Sequence, residues 1–432
     1  MTRGIRIVFV IGMTALMALP FAPPSGLTGE NPADRGGPPR QVFLMVPDGM
    51  GLSNITAARI HAGGPNGPGL ALETLPYVGY QRTHSADNTV TDSAAAASAW
   101  AAGEKFANGE VSCHDQDRDG VCDGSRKNPL TILEIAKSRG MATGLVATSD
   151  ITHATPAAFG AHVANRGCET EIFRQYMDLG IEVLLGGGIG ADRAGCRPSG
   201  KDSADAQALV NRACSQGYFC AGDAARLAAR PPGTRRLLGL FRPGGLTPVY
   251  LRGAACPEPS LAAMTATALD ALKENPRGFF LLVEGSQIDW ANHSRNPAYQ
   301  IRETLAFDEA VGTVLAWIGE NAVRRANTLV IVAPDHETGG VILTGPQGRL
   351  ARPGDTEAVI RKTDGTPLTD QDGKPVHIPD VAMVFASNPG EKADHTAVDT
   401  LVWSNRPEYG GVMDNTDLFY RMRDFLEGGP GD

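Results

Sequence analysis

The chain has 432 residues and a net charge of −9, from 39 Lys+Arg against 48 Asp+Glu. With 42% hydrophobic and 20% charged residues it can bury a substantial core, which excludes intrinsic disorder as its main state. The acidic balance argues against a nucleic-acid partner, whose phosphates would demand a basic face.

Taken in chain order, residues 1–30 read as a secretory signal peptide and leader. Arg3 and Arg6 precede an apolar run from Ile7 to Leu19, too short to span a bilayer comfortably, and small residues follow at Ala22, Ser25 and Gly26. Residues 31–40 read as a disordered linker, and 41–428 as a single domain. Within it, strands are predicted at Val42–Val46, Gly144–Thr148, Glu182–Leu185, Phe279–Val283, Thr328–Ala333 and Val381–Phe385. Helices are predicted at Ser93–Ala102, Thr131–Ser138, Glu171–Leu179, Leu261–Lys273 and Asn296–Glu320. Strands apolar on both faces and interleaved with helices imply a three-layer α/β/α sandwich around a large, mostly parallel sheet. Residues 345–380 lack periodicity and read as a surface insertion. Export to an oxidising compartment makes disulfides the expectation, and Cys113–Cys122 and Cys214–Cys220 are the first candidates because their loops are short. Seven cysteines leave one unpaired or bonded to another chain.

Parallel sheets gather ligands at the carboxyl ends of their strands. Here Asp48, Ser149-Asp150, Glu284 and Asp335-His336 follow or close four predicted strands, which points to one site built from the whole chain. Asp289 and His293 are four apart and share a helical face, so they can grip one ion. With His395 in Asp394-His395-Thr396, three histidines and three aspartates (Asp48, Asp289, Asp335) suit two zinc ions, while Glu284 suits a harder ion such as magnesium. Ser93 opens a helix in Thr91-Asp92-Ser93-Ala-Ala-Ala-Ala, where unpaired N–H groups favour phosphate and an alkoxide. The plain alternative is that Asp92 or Ser93 only caps that helix. A second acidic loop, Asp115, Asp117, Asp119 and Asp123, has the spacing of the first part of a calcium loop, but Arg126 stands where its closing carboxylate would be. A structural calcium ion and a solvated acidic loop closed by Cys113 and Cys122 are the two readings of it.

The motifs VPDGM, TDSAAAA, THATPAAFGAHVANR, VEGSQIDWANH, APDHETGG and DHT, in this order over roughly residues 40 to 425, resemble the alkaline phosphatase family. The resemblance implies a metal-dependent phosphomonoesterase in which Ser93 is the nucleophile and Arg166 clamps the phosphate. It implies one zinc on Asp289, His293 and His395, a second on Asp48, Asp335 and His336, and a magnesium on Thr155 and Glu284 with Asp48 bridging. Water on zinc titrates at roughly 7 to 9, so an alkaline optimum is expected. His153 stands where some members carry aspartate beside magnesium, so the third site should hold that ion weakly or take another. Trp290 replaces a lysine or histidine that reaches phosphate in some relatives, so product phosphate should leave easily. The resemblance further implies small phosphate monoester substrates, a homodimer, no stable membrane insertion and a periplasmic or secreted location. The competing functions are a phosphodiesterase or sulfatase on the same metal core, and a non-catalytic phosphate- or calcium-binding surface protein.

Overall fold

The organising pattern is the run Gln41-Val-Phe-Leu-Met-Val46, apolar with no alternation. In the computed structural model, residues 38–64, 66–123, 128–193, 196, 205–344, 358–359, 366–375, 377–378, 382–388, 390 and 392–428 are described. The run forms β1 (Arg40–Val46), with Val42 to Val46 all fully buried. Successive side chains of a strand point to opposite faces. Val42, Leu44 and Val46 therefore enter one apolar core, while Phe43 and Met45 enter another.

A ten-stranded sheet separates these two cores. Its first eight strands along the chain are β1, β2 (Tyr77–Arg82), β3 (Ala142–Ala147), β4 (Val183–Gly186), β5 (Phe219–Ala221), β6 (Leu237–Leu240), β7 (Gly278–Glu284) and β8 (Thr328–Val332). Thr400–Ser404 and Gly411–Asp414 complete it, in the order Gly411–Asp414, β2, Thr400–Ser404, β8, β1, β7, β3, β4, β6, β5. Thr400–Ser404 pairs antiparallel with both β2 and β8, and every other pairing in the sheet is parallel. One face is covered by α1 (Leu52–Gly63), Leu261–Leu272 and the long helix Pro297–Gly319. The other is covered by α2 (Ser93–Ala102), α3 (Ile132–Ser138), α4 (Ala154–Gly160), Glu169–Leu179 and the C-terminal helix Asp417–Glu427. The three-layer expectation holds.

Local chemistry sets the helix starts. Thr131 caps α3 through a reciprocal pair with Glu134, Ser260 caps Leu261–Leu272, and Asn296 precedes Pro297 at the head of the long helix. Cys113–Cys122 and Cys214–Cys220 are bonded as expected; Cys168–Cys196 is a third bridge, and Cys256 is free. The strand expected at Val381–Phe385 is present at Ala382–Phe385, but it pairs antiparallel with Val341–Thr344 in a two-stranded ribbon instead of joining the main sheet. Val384 is 47% exposed there, and a short apolar run does not distinguish a ribbon from a buried strand. Conversely β2, β5, β6 and Gly411–Asp414 join the sheet unpredicted, being short or largely exposed, and so does Thr400–Ser404, whose five residues are mostly buried. The signal, the leader, most of the linker and most of the 345–380 insertion lie outside the described residues; among the described residues no helix is long and apolar enough to cross a membrane.

Replacing Leu44 by Ala removes a fully buried side chain at the centre of the sheet, whereas Leu52 at the start of α1 is 62% exposed. Leu44→Ala should cost about 2–5 kcal/mol of stability, and Leu52→Ala about 0.5 kcal/mol or less, measured as shifts in denaturant midpoint.

Candidate active site

Four strands that are neighbours in the sheet, β8, β1, β7 and β3, end on the same edge. Asp48 lies two residues beyond β1, Glu284 is the last residue of β7, Asp335-His336 follows β8, and residues 149–155 lead from β3 into α4. Asp48, Glu284, Asp335 and His336 are wholly buried and Asp289 is 5% exposed.

Side chains converge in three groups, each with its ligand atoms within 4.8 Å of one another: Asp289, His293 and His395; Asp48, Asp335 and His336; and Asp48, His153 and Glu284. In the first, His293 Nε2 lies 3.3 Å from Asp289 Oδ2 and 3.1 Å from His395 Nε2. In the second, His336 Nε2 lies 3.1 Å from Asp335 Oδ2, 3.7 Å from Asp48 Oδ1 and 3.3 Å from Ser93 Oγ. The imidazoles of His336 and His395 stack at 3.6 Å, which brings the two groups together. Thr155 sits on α4 with its buried hydroxyl unpartnered.

The other ring nitrogens decide what these histidines can offer. His293 Nδ1 faces the carbonyl of Ala393 at 2.5 Å and His395 Nδ1 faces that of Thr91 at 2.9 Å. A carbonyl only accepts, so Nδ1 carries a hydrogen in both, and Nε2 is the nitrogen that faces the site, with a lone pair to offer whenever the imidazole is neutral. His336 Nδ1 faces the Thr338 hydroxyl at 3.2 Å, and that hydroxyl donates to Asp289 Oδ1. Both carboxylate oxygens of Asp48, both of Glu284 and Asp335 Oδ2 have no hydrogen-bond partner. Bare nitrogen and oxygen lone pairs that converge in a buried space are the donor set of a divalent cation, and the residues present fit one.

The electrostatics carry the same strain. Burial, then the charges of Asp335, Asp289 and Glu284, raises the Asp48 carboxyl well above its ordinary range. Burial also pushes Glu284 up to about 7. For His293 burial opposes the charge, but the Asp289 contact prevails and pushes it up to about 9. Burial, with His336 beside it, brings His395 down to about 4, so it stays neutral.

Ser93 is the first residue of α2, and the capping is done by Asp92, whose Oδ1 accepts from Ala95 N at 2.9 Å. The Ser93 hydroxyl is thereby left to the site. Asp92 Oδ2 also takes the Arg166 guanidinium at 2.9 Å, and the other arm of Arg166 donates to His153 Nε2 at 3.1 Å. Arginine has no acceptor, so His153 Nε2 must be its lone-pair nitrogen. Burial, then Arg166, lowers His153 to about 3, which keeps it neutral with the hydrogen on Nδ1. Trp290 stands edge-on to His153 at 6.0 Å, and its ring fills the space that a side chain at Gly245 would need.

Two contributors lie inside the quoted motifs, APDHETGG and VPDGM, but were given no role there. Thr338 ties Asp289 to His336 through its hydroxyl. Gly49 has φ +71°, its amide donates to Asp335 Oδ1 at 3.1 Å, and a Cβ there would lie 2.7 Å from the Asp289 backbone. In the acidic loop, Asp115, Asp117 and Asp123 converge but Asp119 does not join them; its Oδ1 accepts from Val121 N at 2.8 Å. Arg126 lies outside the described residues.

Comparison with known proteins agrees with this geometry. The alkaline phosphatase family model matches residues 39–427. The chain is 36% identical to a streptomycin-6-phosphate phosphatase of Streptomyces griseus, over 94% of each chain. It is 33% identical to an alkaline phosphatase of Escherichia coli, over 89% of this chain and 86% of the other. Among solved structures, the alkaline phosphatase of the Antarctic bacterium TAB5 aligns with a TM-score of 0.66 and 29% identity, over 90% of this chain and 98% of that one.

The pKa shifts fix a pH trend for the cation-free protein. His293 folded holds its proton to about 9 against 6.5 unfolded, so its contribution is present below 6.5 and lost as pH rises through 9. His336 is raised in the same direction and Glu284 is pushed up to about 7, so their protons leave in or near the same window and add to the fall, whereas Asp289 and Asp335 are lowered and His153 and His395 neutralise below it. The melting temperature in chelator should fall from pH 6.5 to 9, while the gain on adding zinc should grow over the same interval, because cation and proton compete for one lone pair. Thermal unfolding at four pH values checks both.

Proposed function

Because the chain belongs to the alkaline phosphatase family, we propose that it hydrolyses phosphate monoesters through a phosphoserine on Ser93. The observation that carries this reading is the Ser93 hydroxyl, 3.3 Å from His336 Nε2 beside a set of unpartnered buried lone pairs. Asp289, His293 and His395 would hold one zinc ion and Asp48, Asp335 and His336 a second. Glu284, Thr155 and Asp48 offer oxygen only, which suits magnesium. His153 fits this third site less well than the sequence implies, since its one lone pair is already given to Arg166. Bound cations would supply Lewis-acid stabilisation to the serine alkoxide and to the departing oxygen.

The protein groups supply the rest. Asp92, the residue before Ser93, and His153 hold the two arms of Arg166, and its planar fork would take two non-bridging oxygens of a monoester. A diester has one such oxygen fewer, which favours monoesterase over diesterase action. The Ser93 oxygen, having released its hydroxyl proton, bonds to phosphorus in line as the bond from phosphorus to the ester oxygen breaks, and the departing oxygen takes up a proton from water to leave as the alcohol. Water then displaces serine in a second in-line step, so configuration at phosphorus is retained. Around the clamp Trp290 presents an indole edge and no cation. The bridges at Cys113–Cys122, Cys168–Cys196 and Cys214–Cys220 support an exported, periplasmic or secreted enzyme.

Ser93→Ala should lower turnover of p-nitrophenyl phosphate by at least about 10³-fold. The native enzyme should prefer that ester to bis-p-nitrophenyl phosphate and lose activity in chelator; equal rates on both esters, or undiminished turnover by Ser93→Ala, would overturn the reading. Trp290→Lys should strengthen inhibition by inorganic phosphate several-fold, since it places a cation beside the clamp, and a phosphate inhibition constant that does not tighten would refute the role given to Trp290.

A further inference from the structure

We propose that Arg295 is the positioning residue that holds His395 in register with Asp289 and His293, and so sets how tightly the outermost cation is retained. This rests on the reading of those three side chains as a cation site. His395 and Thr396 pair with Thr338 and Glu337, but the segment that leads to them has little burial to hold it: Asn388, Gly390, Lys392 and Asp394 are exposed, and among the described residues from 388 to 394 Ala393 alone is buried. Main-chain carbonyls of that segment turn onto one side chain instead. Arg295 Nη1 donates to Gly390 O at 2.6 Å, and Nη2 donates to Asn388 O, to Lys392 O at 3.4 Å and to Ser387 O at 3.5 Å.

The same clamp joins two ligands. Arg295 stands two residues past His293, whose Nδ1 meets Ala393 O at 2.5 Å while Ala393 N donates back to His293 O at 2.9 Å. Two residues beyond Ala393 comes His395. A planar fork of five donors can reach carbonyls spread along the segment from two nitrogens at once, whereas an ammonium has three donors on one atom.

The backbone at this position shows that the side chain is what matters. Arg295 has φ +49°, in the left-handed region that glycine adopts freely and other residues adopt at a cost. Its Nε is buried with no hydrogen-bond partner. A turn of this shape would be easier to build with glycine, so the conformational and desolvation costs are borne for the guanidinium.

Arg295→Gly separates clamp from backbone, because it relieves the strained φ while removing the fork. Zinc-loaded full-length protein would be titrated with a competing chelator, alongside Asp289→Asn, which removes a ligand of the same group. Arg406→Gln serves as a control, since Arg406 also clamps main-chain carbonyls, of Ala326 and Thr328, far along the sheet. In Arg295→Gly one zinc equivalent should be lost at a chelator concentration about tenfold lower than in the native protein. The other equivalent should be held as before, and excess zinc should restore turnover to the native kcat. Arg406→Gln should retain zinc like the native protein. If Arg295→Gly keeps both equivalents, or loses both together as a general destabilisation would, the proposal is wrong. If the native protein holds no zinc that Asp289→Asn releases, the cation-site reading itself fails, which is a separable result.

Discussion

Four carboxylates share a space from which water is largely excluded. Asp48, Glu284 and Asp335 are fully buried and Asp289 nearly so. Each buried ion costs several kcal/mol of lost hydration, and each repels the others in a medium that screens poorly. The protein offsets part of this with His293 and His336, which is why those imidazoles are driven toward the charged form. It leaves the rest unrelieved, as the raised carboxyls of Asp48 and Glu284 record. A fold that keeps so unfavourable a cluster is one completed by positive charge from outside.

The parallel sheet makes the cluster possible. Neighbouring parallel strands deliver their carboxyl ends to one edge, so residues from β8, β1, β7 and β3 meet there although they are some 290 positions apart in the chain. Burial of β1 on both faces fixes its register against β7 and β8, pairing Val46 with Glu284 and Met45 with Val332. A slip of one residue would move Asp48 and turn every β1 side chain into the wrong core. The same rigidity holds the histidines, each oriented by a carbonyl or by Thr338 rather than by the ligand it awaits.

How much of this was readable follows from what each residue's role depends on. The double-faced strands and the Asp289–His293 spacing depend on local sequence, and both appear where expected. The strand ends announced the cluster because a polar residue after a buried run has few other uses. Phe219–Ala221 and Leu237–Leu240 were missed since runs of three and four residues carry no period. Ala382–Phe385 was misplaced because its partner, Val341–Thr344, is chosen by long-range packing. Cys168–Cys196 joins residues whose proximity only the fold creates. The contact between Arg166 and His153 is of the same kind: thirteen positions of sequence separate them, and nothing local says that one will consume the other's lone pair.

That contact shapes how this phosphomonoester hydrolase treats its phosphate. A neutral histidine accepting from Arg166 holds the guanidinium without neutralising it, and Asp92, on the other arm, supplies the charge partner. With aspartate in place of His153 the guanidinium would stand between two carboxylates and present less net positive charge to substrate. With a lysine in place of Trp290 a second cation would join the clamp. The residues present instead pair an arginine that has one carboxylate partner, not two, with an uncharged indole. Binding then depends mainly on charge that also acts on the reacting oxygens, and interactions of that kind strengthen as the transition state forms rather than holding substrate and product equally.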